Sequence, residues 1–429
     1  MKLNRFKLQR NLTTLYWLSA VEGLLLLLVF GVGIYNDSIT YLNAWTNCIS
    51  CGTLASRTPV YPIFLGVINS IFGKVIAPYI VISLQYLIFL ISIKCFYRSC
   101  RSILKSANIA YWLTAFYALF PSFTSWEISL LTEGLAISGS VFLLYSLLKF
   151  KFNKSWIHVF SVVWWTAFLI FLRPVFIYLL PLMIVVFLLA IFFYRNLWKQ
   201  AICGMIGILL ICTTVFSYMK KYESQYGLFS LSDVSVLNQF FMARQYGVLK
   251  VGAIDNTRFN QYLKESISKY GEEMDSKSML WAESGYVGHN FDLKELNGIV
   301  AQSTQKNKSS WIKGLLRRCY DSAGYTLFKV SIQPVGFITT MFGLNIGLLN
   351  ILLVILIIMI VKAYKRGESP WVSMSLLMLI ASNLIVIVVG AQEEWSRLLL
   401  PSTPYVLLVV GIIYERIIND KLLSIKKYV

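Results

Sequence analysis

Apolar residues in this chain come in long blocks. They show neither the strict alternation of a half-buried strand nor the three-to-four spacing of a helix on a water-soluble core. Ten blocks stand out, at about 15–34, 75–97, 107–121, 133–149, 156–172, 175–194, 200–218, 343–361, 371–390 and 402–418. About 20 apolar residues in a helix cross a hydrocarbon core roughly 30 Å thick. The pattern therefore predicts an all-α polytopic membrane protein of about ten transmembrane helices, with both chain ends on one side. The first block follows a polar, basic stretch and has no small-residue cleavage motif, so it is expected to be a retained helix rather than a signal peptide.

Between the seventh and eighth blocks lies the only long polar segment, about 220–333. The chain thus divides into a transmembrane module (1–218, about seven helices), a mainly helical polar segment (219–335) and a second transmembrane module (336–429, about three helices). Within the polar segment, helical patterning is clearest at 257–269 and 309–329. The stretch Trp311-Ile312-Lys313-Gly314-Leu315-Leu316-Arg317-Arg318-Cys319-Tyr320 reads as a helix that lies along a membrane surface. No internal repeat and no Gly/Ser- or Pro-rich linker is present.

Composition agrees: 57% of residues are apolar and only 14% charged, far from the balance of a soluble domain. The formal charge of +19 raises the question of nucleic acid, and its distribution answers it. Lys2, Arg5, Lys7 and Arg10 precede the first block. Lys94, Arg98, Arg101 and Lys105 follow the second, and Lys149, Lys151 and Lys154 follow the fourth. Arg195 and Lys199, then Lys362, Lys365 and Arg366, then Arg416, Lys421, Lys426 and Lys427 complete the set. All fall on one face, as the positive-inside rule expects of the cytoplasmic side. The charge reports topology, and no nucleic-acid partner is expected.

The short loops of the opposite face hold the basic residues Arg57, Lys74, Arg173 and Arg397 and the acidic residues Asp37, Glu127, Glu133, Glu393 and Glu394. Any one of these can be read as snorkelling or as capping a helix end. Opposite charges at several helix ends on one face point instead to a shared site. The polar segment belongs to this face by topology. Other chemistry has little to work with. His158 and His289 are the only histidines and lie far apart. Cys48 and Cys51 have CxxC spacing but no redox or zinc context, and no Walker A or Rossmann motif occurs.

The order of motifs resembles a family. Asn36-Asp37-Ser38-Ile39-Thr40-Tyr41 follows the first helix, and Arg57-Thr58-Pro59-Val60-Tyr61-Pro62 opens the next apolar stretch. Leu131-Thr132-Glu133 begins an outer helix, Leu172-Arg173-Pro174 ends one, and Arg397 through Pro404 precede the last. Together, over about 15–180 and 390–410, these look like the GT-C superfamily of polytopic glycosyltransferases. The nearest likeness is to the bacterial branch related to protein O-mannosyltransferases and aminoarabinose lipid A transferases. The resemblance implies a polyprenyl-phosphate-linked sugar donor and an active site outside the cytoplasm, in a bacterial cytoplasmic membrane. It also implies an inverting single displacement onto a glycan, lipid or protein acceptor.

The residue chemistry fits that expectation. A lipid phosphate is already a good leaving group, so the reaction needs a base for the acceptor hydroxyl and positive charge for the departing phosphate. Asp37 is the candidate base, since the family places a catalytic acid in this first loop, and Glu133 is the second catalytic candidate. Arg57, Arg173 and Arg397 offer the planar forks that suit phosphate oxygens. Glu393, Glu394 and Tyr61 are candidates for acceptor or metal contacts. The residues single out no particular cofactor, and a divalent cation is left open. Two other readings compete: a transporter or flippase of lipid-linked sugars, which needs functional polar residues at the bilayer midplane, and a polysaccharide polymerase or ligase.

Overall fold

The computed structural model describes residues 2–153, 155–272, 290–332, 345–367, 370–390 and 394–425, and among them the fold is helical, with only two isolated β-bridges. In chain order the helices are α1 (Lys2–Phe30), α2 (Asn36–Asn47), α3 (Val60–Ile103), α4 (Ala107–Leu119), α5 (Pro121–Glu127) and α6 (Thr132–Asn153). Next come α7 (Trp156–Leu172), α8 (Leu179–Phe193), α9 (Trp198–Tyr226), α10 (Val234–Gln245) and α11 (Thr257–Tyr270). The last six are α12 (Leu293–Lys306), α13 (Lys308–Ala323), α14 (Ile346–Lys365), α15 (Trp371–Gly390), α16 (Trp395–Leu399) and α17 (Thr403–Ile425).

Each of the ten apolar blocks carries a helix, but among the described residues eight helices are long and apolar enough to cross a membrane. The other two are shorter for local reasons. Helix α4 has 13 residues. Ser106 caps its start by accepting from the Ile109 N–H, and Phe120, preceding Pro121, is pushed to extended backbone (φ −85°, ψ 125°). Helix α7 has 17 residues and stops at Arg173, which precedes Pro174 and is likewise extended (φ −147°, ψ 130°).

In the opposite direction, the 44 residues of α3 are two helices that meet at a kink, where Gly73 sits at φ 75°, ψ 164°. That left-handed backbone, open to glycine at little cost, bends an entry segment (60–72) away from the spanning part (74–103).

Helix α6 is the axis of the bundle. It packs on α3, α5, α7 and α17, and 89% of its apolar window is buried, against 17% for α1. Small residues let the neighbours approach, since a Cβ on Gly139 would meet Leu169 Cδ2 at 3.0 Å. The basic clusters around Arg101 and Lys149 lie at the far ends of α3 and α6. There Glu415 of α17 accepts from the Lys105 and Ser106 N–H groups at 3.0 and 2.6 Å. Thr124 of α5 donates to the carboxylate of Glu22 in α1 at 2.7 Å, so this intramembrane acid has a partner.

The polar segment builds a second core, in which Tyr222, Phe240, Phe241, Phe259, Leu263, Phe291, Leu296 and Val300 bury one another. Arg244 is buried inside it and donates to Ser266 Oγ and to the Gly271 and Glu272 carbonyls that follow α11, where the helix dipole favours a cation.

Candidate active site

Two tethers bring distant helix ends together. The chain entering α2 pairs with the chain entering α6: Gly33 N–H donates to Ile128 O at 3.0 Å, and Leu130 N–H donates to Gly33 O at 2.8 Å. The close pairing favours glycine at 33, because a Cβ there would meet Ser129 Oγ at 2.8 Å and Ser129 Cα at 3.3 Å. Ser38 then donates to Leu130 O at 2.8 Å, so the first turns of α2 and α6, carrying Asp37 and Glu133, are delivered as a pair. The second tether is Thr58, whose hydroxyl donates to Leu172 O at 3.0 Å. It holds Arg57, before α3, beside Arg173, which Pro174 has forced out of α7.

Arg397, on the short α16, closes the cluster. Its Nη2 donates to Asp37 Oδ2 at 2.9 Å, its Nε to Glu133 Oε1, and its Nη1 reaches Glu394 Oε2 at 3.1 Å. Arg57 Nη2 donates to the other oxygen of Asp37, Oδ1, at 2.7 Å, and Arg57 Nε donates to Thr40 Oγ1 at 3.1 Å. Arg173 Nη1 lies 3.0 Å from Glu133 Oε1 as an ion pair. This buried nitrogen has no hydrogen bond among the described residues beyond that ion pair. Aromatic rings floor the cluster: Arg57 lies over Tyr41 at 5.1 Å and Arg397 over Trp126 at 5.7 Å.

Depth divides the cluster. The Glu133 side chain is 0% exposed, with Arg173 at 10% and Arg397 at 12%, whereas Asp37 is 32% and Arg57 21% exposed. Burial acts to raise the Asp37 carboxyl, but Arg57, Arg397 with its hydrogen bond, and the more distant Arg173 outweigh it and hold the group below the usual aspartate range. Burial likewise opposes the Arg57 charge, and Tyr41, Asp37 and Asp233 more than restore it.

Asp37, Arg57, Glu133, Arg173, Arg397 and Glu394 thus meet at one end of the bundle, while Tyr61 and Glu127 stand beside them. The Tyr61 hydroxyl donates to Gln85 Oε1 at 2.8 Å, and Gln85 Nε2 donates to the Glu127 and Ser129 carbonyls. Glu127 is fully buried outside the ion pairs. Burial pushes its carboxyl well above the usual range, only partly opposed by Ser138. Glu393 lies outside the described residues. Among the described residues no group of three or more His, Cys, Asp or Glu side chains is placed to hold a metal ion; each carboxylate of the cluster faces an arginine instead.

Sequence reasoning missed Asp233, at the start of α10. Burial raises its carboxyl while Arg57 pulls it part of the way back, so the polar segment reaches into the field of the cluster. Nothing in the mixed charges around it marks this residue out.

No protein-family model and no curated protein sequence matches the chain. Solved structures do. The oligosaccharyltransferase of Archaeoglobus fulgidus in complex with Zn and sulfate is 13% identical, with a TM-score of 0.50 over 95% of this chain and 49% of that one. The archaeal oligosaccharyltransferase AglB from Archaeoglobus fulgidus, in complex with an inhibitory peptide and a dolichol-phosphate, is 11% identical (TM-score 0.49, 99% of this chain and 52% of that one). The apo form gives 11% and 0.48 over 97% and 52%. The chain spans about half the length of these structures. At such identities the likeness is one of fold alone: this chain shares the helical membrane fold of the archaeal oligosaccharyltransferase.

Proposed function

We propose that this protein is a membrane glycosyltransferase that moves a sugar from a polyprenyl-phosphate donor to an acceptor hydroxyl on the extracytoplasmic face. The observation that carries the reading is the meeting of Asp37, Glu133, Arg57, Arg173 and Arg397, from α2, α6, the loop before α3, the end of α7 and α16, in a fold of this type. The order of their motifs favours the branch related to protein O-mannosyltransferases and aminoarabinose lipid A transferases.

Charge balance indicates how a donor enters. Three arginines (Arg57, Arg173, Arg397) face three carboxylates (Asp37, Glu133, Glu394), so the cluster is neutral without substrate. A donor phosphate adds negative charge and has to draw an arginine away from a carboxylate. The exchange is easiest where water already competes, at Arg57–Asp37, and hardest at Glu133, where both ions lose solvation for good.

When Arg57 turns to the phosphate, Asp37 Oδ1 is released and its basicity rises. The acceptor oxygen then attacks the anomeric carbon from the face opposite the phosphate, and its proton passes to Asp37. The bond from the anomeric carbon to the phosphate oxygen breaks with its electron pair on the polyprenyl phosphate, whose charge Arg57 and Arg397 offset. Glu133 is a positioning residue here: it fixes Arg397 and Arg173.

The test is purified protein with a panel of polyprenyl-phosphate sugars, scoring transfer. Transfer that disappears in Asp37→Asn while donor binding persists is the expected result. Binding and translocation of lipid-linked sugar with no transfer from any donor would move the transporter reading ahead.

A further inference from the structure

Helix α13 has a face that its own fold leaves uncovered. Gly314, Arg318 and Ser322 are buried against the rest of the protein, while Ile312, Leu316 and Tyr320 are 51%, 65% and 82% exposed. Residues spaced by four are offset by about 40° on a helix, so these three form one continuous apolar stripe, with Cys319 also exposed beside it. Lys313 and Arg317 follow immediately along one edge of the stripe, and Lys308 stands at the start of the helix. In water such a stripe is costly, and an exposed apolar patch rimmed by charge marks an interaction surface.

The position of α13 identifies what covers it. At its N-terminal end Trp311 and Ile312 share a cavity of about 540 Å³ with Val389 and Gly390, the last residues of membrane helix α15. At its C-terminal end Ala323 abuts Gly347 in the first turn of membrane helix α14, 3.3 Å from where a Cβ would stand, and Tyr325 O accepts from the Ile346 N–H. The 16 residues of α13, about 24 Å long, therefore lie across two spanning helices at the level where one ends and the other begins. Helix α14, which α13 abuts, itself opens with the exposed apolar residues Leu348, Ile351 and Val354, as a helix that faces lipid does.

We infer that α13 lies in the plane of the membrane interface, with Ile312, Leu316 and Tyr320 in the acyl boundary and Lys313 and Arg317 against anionic lipid headgroups. An in-plane amphipathic helix with basic residues flanking its apolar face binds in this way. The docking does not depend on the reaction proposed above.

The test places a bimane label at Ile312, Leu316 or Tyr320, or at exposed Gln302 of α12 as control, in the full chain with its native cysteines replaced and set in nanodiscs. Brominated lipid should quench the three stripe positions at least twice as strongly as aqueous iodide, with the order reversed at Gln302. Stronger quenching by iodide at the stripe would overturn the inference, and so would protection from both quenchers, which would indicate a protein partner.

The unmodified chain gives a second measurement if the cysteine-free form fails to fold. Hydrogen exchange across 308–323 should slow at least threefold when a third of the nanodisc lipid is made anionic. Lys313→Glu should abolish that slowing. Exchange indifferent to lipid charge would remove the headgroup contact and overturn the inference as stated.

Discussion

Asp37 and Glu133 occupy the same local position, the first turn of a helix, and both accept a hydrogen bond from Arg397. They differ in depth. Glu133 crowns the most enclosed helix of the bundle and meets no water, while Asp37 crowns a short helix at the bundle's edge and is a third exposed. Under the proposed function, one set of side chains thus provides a permanent anchor and an exchangeable pair. Desolvation decides which is which, because only an ion pair still reached by water can trade partners at modest cost.

The comparison breaks most visibly at its buried half. Glu133→Ala leaves Arg173 uncompensated in the interior and strips Arg397 of the most buried of its three carboxylates, a loss of about 3–5 kcal/mol. The measurement is thermal unfolding in detergent, with a large fall in midpoint and loss of activity together. A variant that unfolds like the parent would show that Glu133 is not the anchor.

At the exposed half the two readouts should separate. Asp37→Asn is expected to keep its midpoint within a few degrees while transfer falls by roughly 10²–10⁴-fold, the range for a positioned acid–base group. If turnover persists, the base lies elsewhere.

Arg57→Ala should weaken binding of the polyprenyl-phosphate donor by about 1.5–3 kcal/mol, the range for a hydrogen bond to a charged group. Arg57→Lys should restore only part of it, since a point charge lacks the fork. Titration of donor analogue against both variants checks this, and equal affinities would place the phosphate away from Arg57.

The smallest effect is on pH. The native Asp37 carboxyl is held below its ordinary value, so its charge contributes fully above the unfolded aspartate range and is lost only as pH falls through the lower native value. Removing Arg57 takes away one of the charges that lower it. The acid limb of kcat/KM in Arg57→Ala should therefore move to higher pH, and a shift to lower pH would contradict the pairing.

The membrane fold was legible because the apolar blocks are long and the basic residues sort to one side. Ser106, Pro121 and Pro174 also mark why α4 and α7 fall short of a full span, once the cap and the residue before proline are weighed against block length. The charged residues of the cluster were legible for a related reason: a charge at the end of an apolar block has few innocent explanations. Glu127 has the same signature and lies outside the ion pairs, since sequence position does not report depth. Asp233 was hidden among ordinary surface charges, and the Gly33–Ser129 pairing that delivers Asp37 to Glu133 has no local signal at all.

Arg397 holds Asp37 across 360 positions of the chain and Glu133 across 264. Helices enter a membrane in the order of synthesis, so α2 and α6 are in place long before α16 is made. For most of that time Asp37 has only Arg57, and Glu133 only Arg173, to meet its charge. Non-local contacts of this kind form late. The nascent protein consequently enters the membrane with this cluster open, and the last helices close it.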